Sequence, residues 1–262
     1  MEGLSAVLAE QRQSMILALV NQRGSLSITE LQHKLKVSRE TIRRDLMLLA
    51  DRSMLRKTHG GALALEHGEP LIAVREAINP DAKQAIGRLA ARLVPDGATV
   101  MLGGGSTVQA VADALLEHQD LTIITNSVAN CSRLAGRNKN RVFMLGGEIQ
   151  TANNTALGRD ATAMLAHYSA DVAIVGAGAV SPTGWVMDYT REEAELYGQM
   201  LQSARQPVVV ADHSKFNQHA PVRLTTFEKI THLVSDRRPD GPLAKVLAKL
   251  PVELVIAGRP GG

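Results

Sequence analysis

The sequence predicts a chain in two parts: a small helical head ending in a short β-hairpin, and a larger α/β body built on a mostly parallel sheet. Three observations predict it. Residues 27–49 read as helix, tight turn, helix. From Ala98 onward, short apolar runs rich in β-branched residues alternate with helical stretches, the pattern of strands buried on both faces. The basic charge is concentrated at the front: residues 1–62 hold ten Lys/Arg against six Asp/Glu, while the rest of the chain holds nineteen against twenty. A cationic end favours a polyanion there, because neutralised phosphates release their counterions.

Within the head, Met15, Ile16, Leu19 and Val20 mark a first helix ending at Gly24, a residue suited to the position after a helix. Ser27-Ile28-Thr29-Glu30 has the form of a capping box and opens a helix over Thr29–Leu35. Lys36-Val37 then turns tightly into Ser38, whose hydroxyl can cap the next helix. Ile42, Leu46 and Leu49 line one apolar stripe of that helix; Glu40, Arg43, Arg44 and Met47 fall on the other side, with Arg39 and Thr41 on the flanks. Such a helix suits a DNA major groove, where Arg donates two bonds to guanine and Thr meets a phosphate or a thymine methyl. Taken alone it is equally an ordinary solvated amphipathic helix; its flanks decide. Downstream, Met54–Ala62 reads as a hairpin carrying Arg56, Lys57 and His59, placed as a wing beside the second helix. The candidate DNA-binding set is therefore Ser38, Arg39, Thr41, Arg43, Arg44, Arg56, Lys57 and His59.

Leu63–Pro80, with Gly68, Pro70 and Pro80, reads as a linker or an arm, so the expected parts are 1–62, 63–80 and 81–262. Lys83–Val94 is an amphipathic helix stopped by Pro95-Asp96-Gly97. Strand candidates follow at Ala98–Leu102, Leu121–Thr125, Arg141–Leu145, Asp171–Gly176, Pro207–Asp212, Ile230–Val234 and Val252–Ile256, with helices at Val108–Glu117, Val128–Ala135 and Leu243–Leu250. In such sheets ligands bind outside the carboxyl ends of the strands. Small and polar residues cluster at those ends: Gly105-Ser106-Thr107, Thr125-Asn126-Ser127, Gly146-Gly147-Glu148, Gly176, and Asp212 to Lys215. Any one of these is commonly just a strand-to-helix turn; their recurrence points to a pocket for a small phosphorylated, hydroxyl-rich molecule. Ser106, Thr107 and the nearby backbone would hold the phosphate, helped by Asn126, Ser127 and Lys215, with Glu148 and Asp212 taking hydroxyls.

Several chemistries are set aside. Cys131 is alone, which leaves no disulfide framework and no paired-thiol metal site. Met1–Gln13 carries charges without an apolar block, and no run approaches a membrane span, so a cytoplasmic protein is expected. Gly176–Ser181 leads into a turn and not a helix, Gly103–Thr107 lacks a P-loop lysine, and the Gly104–Val108 run lacks the closing glycine of a nucleophile elbow. His213 and His219 have no third ligand nearby; Trp185 and Met101 suit the core or a pocket wall. No cofactor, metal or catalytic residue is expected.

The unbroken runs Thr41-Ile-Arg-Arg-Asp-Leu46 and His59-Gly-Gly-Ala62, at their observed spacing, resemble the DeoR family of bacterial transcriptional repressors, and the strand-end motifs extend the resemblance over nearly the whole chain. It implies a winged helix-turn-helix on operator DNA and an α/β effector domain similar in fold to ribose-5-phosphate isomerase. It further implies a phosphorylated sugar or polyol effector that releases the operator of a catabolic operon, and a homodimer or homotetramer. Asp212–Phe216 and Ala114–His118 look most like the glycerol-3-phosphate repressor branch. The chain departs from the family at Gly103 and in Gly176-Ala-Gly178-Ala-Val180, where carboxylates are common, and near Tyr197, where a basic residue is common. An alternative is a sugar-phosphate isomerase-like enzyme with an accessory DNA-binding head, using Lys215 and Glu148 in proton transfer; the missing carboxylates weigh against it.

Overall fold

The computed structural model describes residues 9, 12–13, 15–17, 19–20, 23, 25–51, 54–58, 60–63 and 69–258. The chain divides into two compact units, with the boundary after Ile78.

In the first unit the described residues between 9 and 23 are helical, and Ile16, Leu17 and Val20 are buried while Met15 faces out. Gly24, expected to end this helix, lies outside the described residues. Strand β1 (Ser25–Ser27) leads into α1 (Ile28–Leu35), capped as expected: the Glu30 amide donates to Ser27 Oγ at 3.2 Å and the Ser27 amide to Glu30 Oε2 at 2.8 Å. Lys36, with φ 53°, closes α1 by donating its amide to Gln32. Helix α2 (Arg39–Asp51) follows, with the Thr41 amide donating to Ser38 Oγ at 3.1 Å. Strands β2 (Arg56–Lys57) and β3 (Gly61–Leu63) form the expected hairpin.

The sequence reading missed that β1 completes this sheet, in the order β1-β3-β2. Ser25–Ser27 reads as a cap, yet Leu26 between two serines is a period-two signal and its side chain is buried. The pairing runs very close: a Cβ on Gly61 would stand 2.1 Å from the Leu26 carbonyl oxygen, while one on Gly60 would meet nothing within 4 Å. Within the expected linker, α3 (Ile72–Glu76) forms and Val74 joins a core made with Leu31, Ile42, Leu46, Leu49 and Leu55.

The second unit opens with α4 (Pro80–Ala91), three residues earlier than periodicity suggested, because proline at the first helical position has its φ already set. Next come β4 (Thr99–Leu102), α5 (Ser106–Ala114), β5 (Thr122–Thr125), α6 (Val128–Leu134) and β6 (Arg141–Met144). A hairpin, β7 (Glu148–Gln150) and β8 (Thr155–Leu157), precedes α7 (Arg159–Leu165) and β9 (Ala170–Gly176). Then follow β10 (Ala179–Val180), β11 (Trp185–Asp188), α8 (Arg191–Gln202), β12 (Ala204–Val210) and β13 (Val222–Thr226). The unit closes with β14 (His232–Ser235), α9 (Gly241–Leu247) and β15 (Glu253–Ile256).

All seven strand candidates pair in one parallel sheet, ordered β15-β14-β12-β9-β4-β5-β6. Alternate residues serve two cores. Val100, Leu102, Val172, Ile174, Val208 and Val210 face α4 and α5, whereas Met101, Ala173, Val175 and Val209 join the core of α8. The chain leaves β4 toward β5 and β6 and later returns to build on its other side, so the topological switch lies between β4 and β9, where α/β sheets open a crevice. The short β7–β8 pair and the antiparallel β10-β11-β13 sheet lack a long apolar run and were not foreseen.

Gly61→Ala should destabilise the first unit by about 1–3 kcal/mol through overpacking against backbone, and Gly60→Ala should leave it nearly unchanged. Urea unfolding of the full chain followed by circular dichroism checks the pair; equal effects would refute the close approach.

Candidate functional site

In the head, α2 buries Ile42, Leu46 and Leu49 and leaves Arg39, Arg43 and Arg44 exposed, with Thr41 half-buried. Ser38 is committed twice, accepting the Thr41 amide and sharing a 2.8 Å hydroxyl contact with Thr41 Oγ1. Arg43 has only a long approach, 3.9 Å, to Glu40. Arg56 and Lys57 are exposed on β2; His59 lies outside the described residues. Of the residues expected at the DNA, Ser38, Arg39, Arg43, Arg44, Arg56 and Lys57 are thus exposed on the first unit, Thr41 is half-buried, and His59 is outside the described residues.

One residue of that helix escaped the sequence reading. Asp45 is buried beside Leu46 and holds Arg12 in an ion pair, while Gln13 Nε2 donates to it at 3.1 Å. The hydrogen bond from Arg12 to Asp45, against a smaller opposing effect of burial, raises the guanidinium's pKa. A carboxylate on the stripe side of an amphipathic helix, three residues after Ile42, is the signal that was available. It ties α2 to the first helix and so fixes how Arg43 and Arg44 are presented.

In the second unit the loop after β4 is gripped from both sides. Asn130 Nδ2 donates to the Gly103 carbonyl at 2.9 Å, and the Gly104 amide donates to Tyr197 Oη at 3.1 Å. A Cβ on Gly104 would lie 2.5 Å from Thr155 Cγ2 and 2.8 Å from that phenol. Gly105, at φ 103°, is the residue before α5 and supplies no side-chain cap, so the first-turn amides around buried Ser106 and Thr107 are left for another acceptor. Thr125, Asn126 and Ser127 are all buried. Thr125 Oγ1 accepts the Ser127 amide, Ser127 caps α6 through the Asn130 amide, and Asn126 Nδ2 donates to the Ala156 carbonyl. Asn126 Oδ1, Asn130 Oδ1 and Thr155 Oγ1 are buried without a hydrogen-bond partner.

Asp212 is buried at the carboxyl end of β12 and shapes its own turn. Its Oδ1 accepts the Ser214 amide (3.0 Å), the Ser214 hydroxyl (2.6 Å) and Asn79 Nδ2 (2.9 Å). Burial pushes its carboxyl up, but the Ser214 and Asn79 hydrogen bonds and the Lys215 and Lys83 charges outweigh it and hold the group below the usual carboxylate value. Lys215 is half-buried one short turn on. His213 bonds Asp236 through Nδ1 at 2.6 Å, which accounts for it without a metal. Among the described residues no group of three or more His, Cys, Asp or Glu is arranged to hold a metal ion.

Glu148 and Gly147 sit differently from the rest of the expected set. Glu148 is exposed on β7, and no hydrogen bond described joins it to the buried residues. Gly147, at φ 125°, is demanded by the hairpin itself, since a Cβ would lie 2.6 Å from the Leu157 carbonyl oxygen. Two of the three departures noted in the sequence, at Gly103 and Gly178, coincide with close packing. A side chain at Gly103 would meet the Tyr197 ring at 3.2 Å; one at Gly178 would meet the Tyr189 ring at 3.0 Å and Asp188 Oδ1 at 3.1 Å. Tyr197 is buried, and burial first, then Glu193 and Asp188, push its phenol pKa well up, so it stays a neutral hydroxyl. Glu193 accepts from Asn153 Nδ2 and Thr190 Oγ1. Tyr197, Asn130, Asn79 and Lys83 are not among the site residues expected from the sequence: Tyr197, Asn130 and Lys83 sit within helices whose apolar period is the stronger signal, and Asn79 immediately precedes α4.

Residues 12–67 match a family model described as the DeoR-like helix-turn-helix domain, and residues 78–237 match one described as the DeoR C terminal sensor domain. The HTH-type transcriptional repressor CsqR of Escherichia coli K12 is 32% identical over 255 residues, covering 97% of this chain and 98% of that protein. A glycerol-3-phosphate regulon repressor of Haemophilus influenzae is 34% identical over 231 residues, covering 88% of this chain and 90% of that protein. Among solved structures, ribose 5-phosphate isomerase A of Methanocaldococcus jannaschii aligns with a TM-score of 0.39 at 21% identity, over 53% of this chain and 55% of that one.

Because the folded Asp212 carboxyl titrates below its unfolded value, it stabilises the protein above the usual carboxylate range, and that contribution is lost as pH falls through the folded value. Asp212→Asn should therefore flatten the acid side of the stability curve. Urea unfolding measured between pH 6 and pH 3 checks it (a wild-type and a variant curve of equal slope below the usual carboxylate value would contradict the assignment).

Proposed function

This chain belongs to the DeoR family of bacterial transcriptional repressors, and from that premise we propose how its residues bind operator DNA and how a metabolite releases it. The chain is a DNA-binding transcriptional repressor and not an isomerase carrying an accessory head: relatives matching nearly its full length are named as repressors. Arg43 and Arg44 enter the major groove from α2, Arg39 and Thr41 meet bases or phosphates at its start, and Ser38 caps the helix beside a phosphate. Arg56, Lys57 and His59 place the wing on the adjoining backbone. The observation that carries this is the α2 stripe: Ile42, Asp45, Leu46 and Leu49 are all buried, which turns the arginines outward.

The second unit is read as the sensor. The uncapped amides of Ser106 and Thr107 take a phosphate at a helix N-terminus, with Lys215 as countercharge, and Asn126, Ser127 and Thr125 hold the wall of the pocket. Asp212 acts chiefly by positioning Lys215 and Ser214. Gly147 and Glu148 stand at the hairpin rim and contribute least. The effector is a phosphorylated sugar or polyol, and the relatives named for glycerol-3-phosphate make a polyol phosphate the first class to try. Effector and operator prefer different arrangements of the protein, so each lowers affinity for the other by one common factor. A single reading head is small, and a homodimer or homotetramer on repeated half-sites fits the mode. Among the described residues no helix is long and apolar enough to cross a membrane, in keeping with a cytoplasmic regulator.

Arg43→Ala or Arg44→Ala should weaken binding to a fragment of the regulated promoter by about 1–3 kcal/mol, measured by fluorescence anisotropy at physiological salt; unchanged affinity for both would refute the base contacts. Lys215→Ala should raise the concentration of polyol or sugar phosphate needed for release at least about tenfold. Release at the wild-type concentration would contradict its role.

A further inference from the structure

We propose that Met47 is a base-reading residue of α2, one that recognises the C5-methyl group of a thymine in the major groove of the operator. This rests on the operator reading above and adds a different chemistry to it, since every residue assigned there to the DNA is polar or charged.

A single exposed apolar side chain on a protein surface needs no explanation; the place of this one does. Met47 is 51% exposed on a helix that buries Ile42, Leu46 and Leu49. At about 100° per residue, it stands nearly opposite the stripe of Ile42, Asp45, Leu46 and Leu49, and between Arg43 and Arg44 of the preceding turn. It is therefore the apolar centre of a charged face: Arg39, Glu40, Arg43, Arg44 and Asp51 are all exposed. Leu48, also exposed, falls about 100° further round, at the margin of that face. With three arginines against two carboxylates, the face suits a polyanion better than a like-charged copy of itself.

The spacing is that of a groove-reading helix. A helix lying in the major groove can read with side chains at i, i+3, i+4 and i+7, as the recognition helix of homeodomains does. On α2 that set is Glu40, Arg43, Arg44 and Met47, and all four are exposed. The first three carry charge, and their partners are phosphates or the hydrogen-bonding edges of bases. Met47 has no donor, and its thioether is a weak acceptor at most. Apolar contact is what remains to it, and the thymine methyl is the one apolar group that a base pair presents in the major groove. A helical side chain leans over the turn before its own, which carries Met47 back from the third turn of α2 toward the two arginines. Its unbranched, polarizable stem adapts to a methyl group there.

Fluorescence anisotropy on the full chain, at physiological salt, compares a fragment of the regulated promoter with the same fragment carrying uracil in place of every thymine. Base pairing is kept and the methyls alone are lost. Wild type should bind the uracil fragment more weakly, by about fourfold for each methyl that Met47 covers. Met47→Ala should bind the thymine fragment weaker by about that factor, and its thymine-to-uracil affinity ratio should shrink by the same factor. Any methyl contact of Thr41 is present in both proteins and cancels. Leu48→Ala should keep the wild-type ratio, and Met47→Leu should keep most of it. Equal ratios for wild type and Met47→Ala, or a ratio lost on Leu48→Ala instead, overturn the contact and leave the arginine contacts standing. A change of oligomeric state on Met47→Ala, measured by sedimentation with the ratio unmoved, assigns Met47 to a contact between copies and overturns it equally. A wild-type chain that binds no promoter fragment removes the operator reading and this contact with it.

Discussion

The larger unit is arranged around a helix start that is left open. Gly105 places α5 directly after β4 without a capping side chain, and unsatisfied amides at a helix N-terminus cost free energy unless something accepts from them. The loop leading there is correspondingly rigid, held by Asn130 at Gly103 and by Tyr197 at Gly104, with Thr155 packed where a Cβ would go. Ser127 caps α6 and Thr190 caps α8, whereas α4, α7 and α9 also begin without a side-chain cap.

The head follows the opposite rule. The starts of α1 and α2 are closed by serines, Ser27 and Ser38, and Arg39, Arg43 and Arg44 protrude from α2. For a surface that must meet rigid duplex DNA, the helix itself has to be held still, and the Arg12–Asp45 pair with Gln13 does this from the buried side. Removing one member of such a pair leaves a desolvated charge, so substitutions at Asp45 would disturb DNA binding without touching DNA.

Much of this was legible in the chain alone. The seven β-branched runs all became sheet strands because strands buried on both faces must be continuously apolar; the Ile42, Leu46 and Leu49 stripe and the Ser27–Glu30 box were equally direct. What stayed hidden was pairing across distance. Nothing local says that Gly61 must clear the Leu26 carbonyl, that Tyr197 reaches Gly104 across 93 residues, or that Asn79 reaches Asp212 across 133. Glycines were the most ambiguous signal: Gly105 is needed for an open helix start, while Gly147 answers to its own hairpin, and in sequence the two look alike.

The central claim is a free-energy coupling between an operator-reading head and a phosphate-sensing body. It is tested most directly by titrating the effective phosphate ester into the full-length protein twice, once free and once saturated with operator DNA, and comparing the ratio of the two dissociation constants with the loss of operator affinity at saturating ester. The account predicts that the two factors are equal and larger than one. Identical ester affinity in the free and operator-bound protein would contradict it.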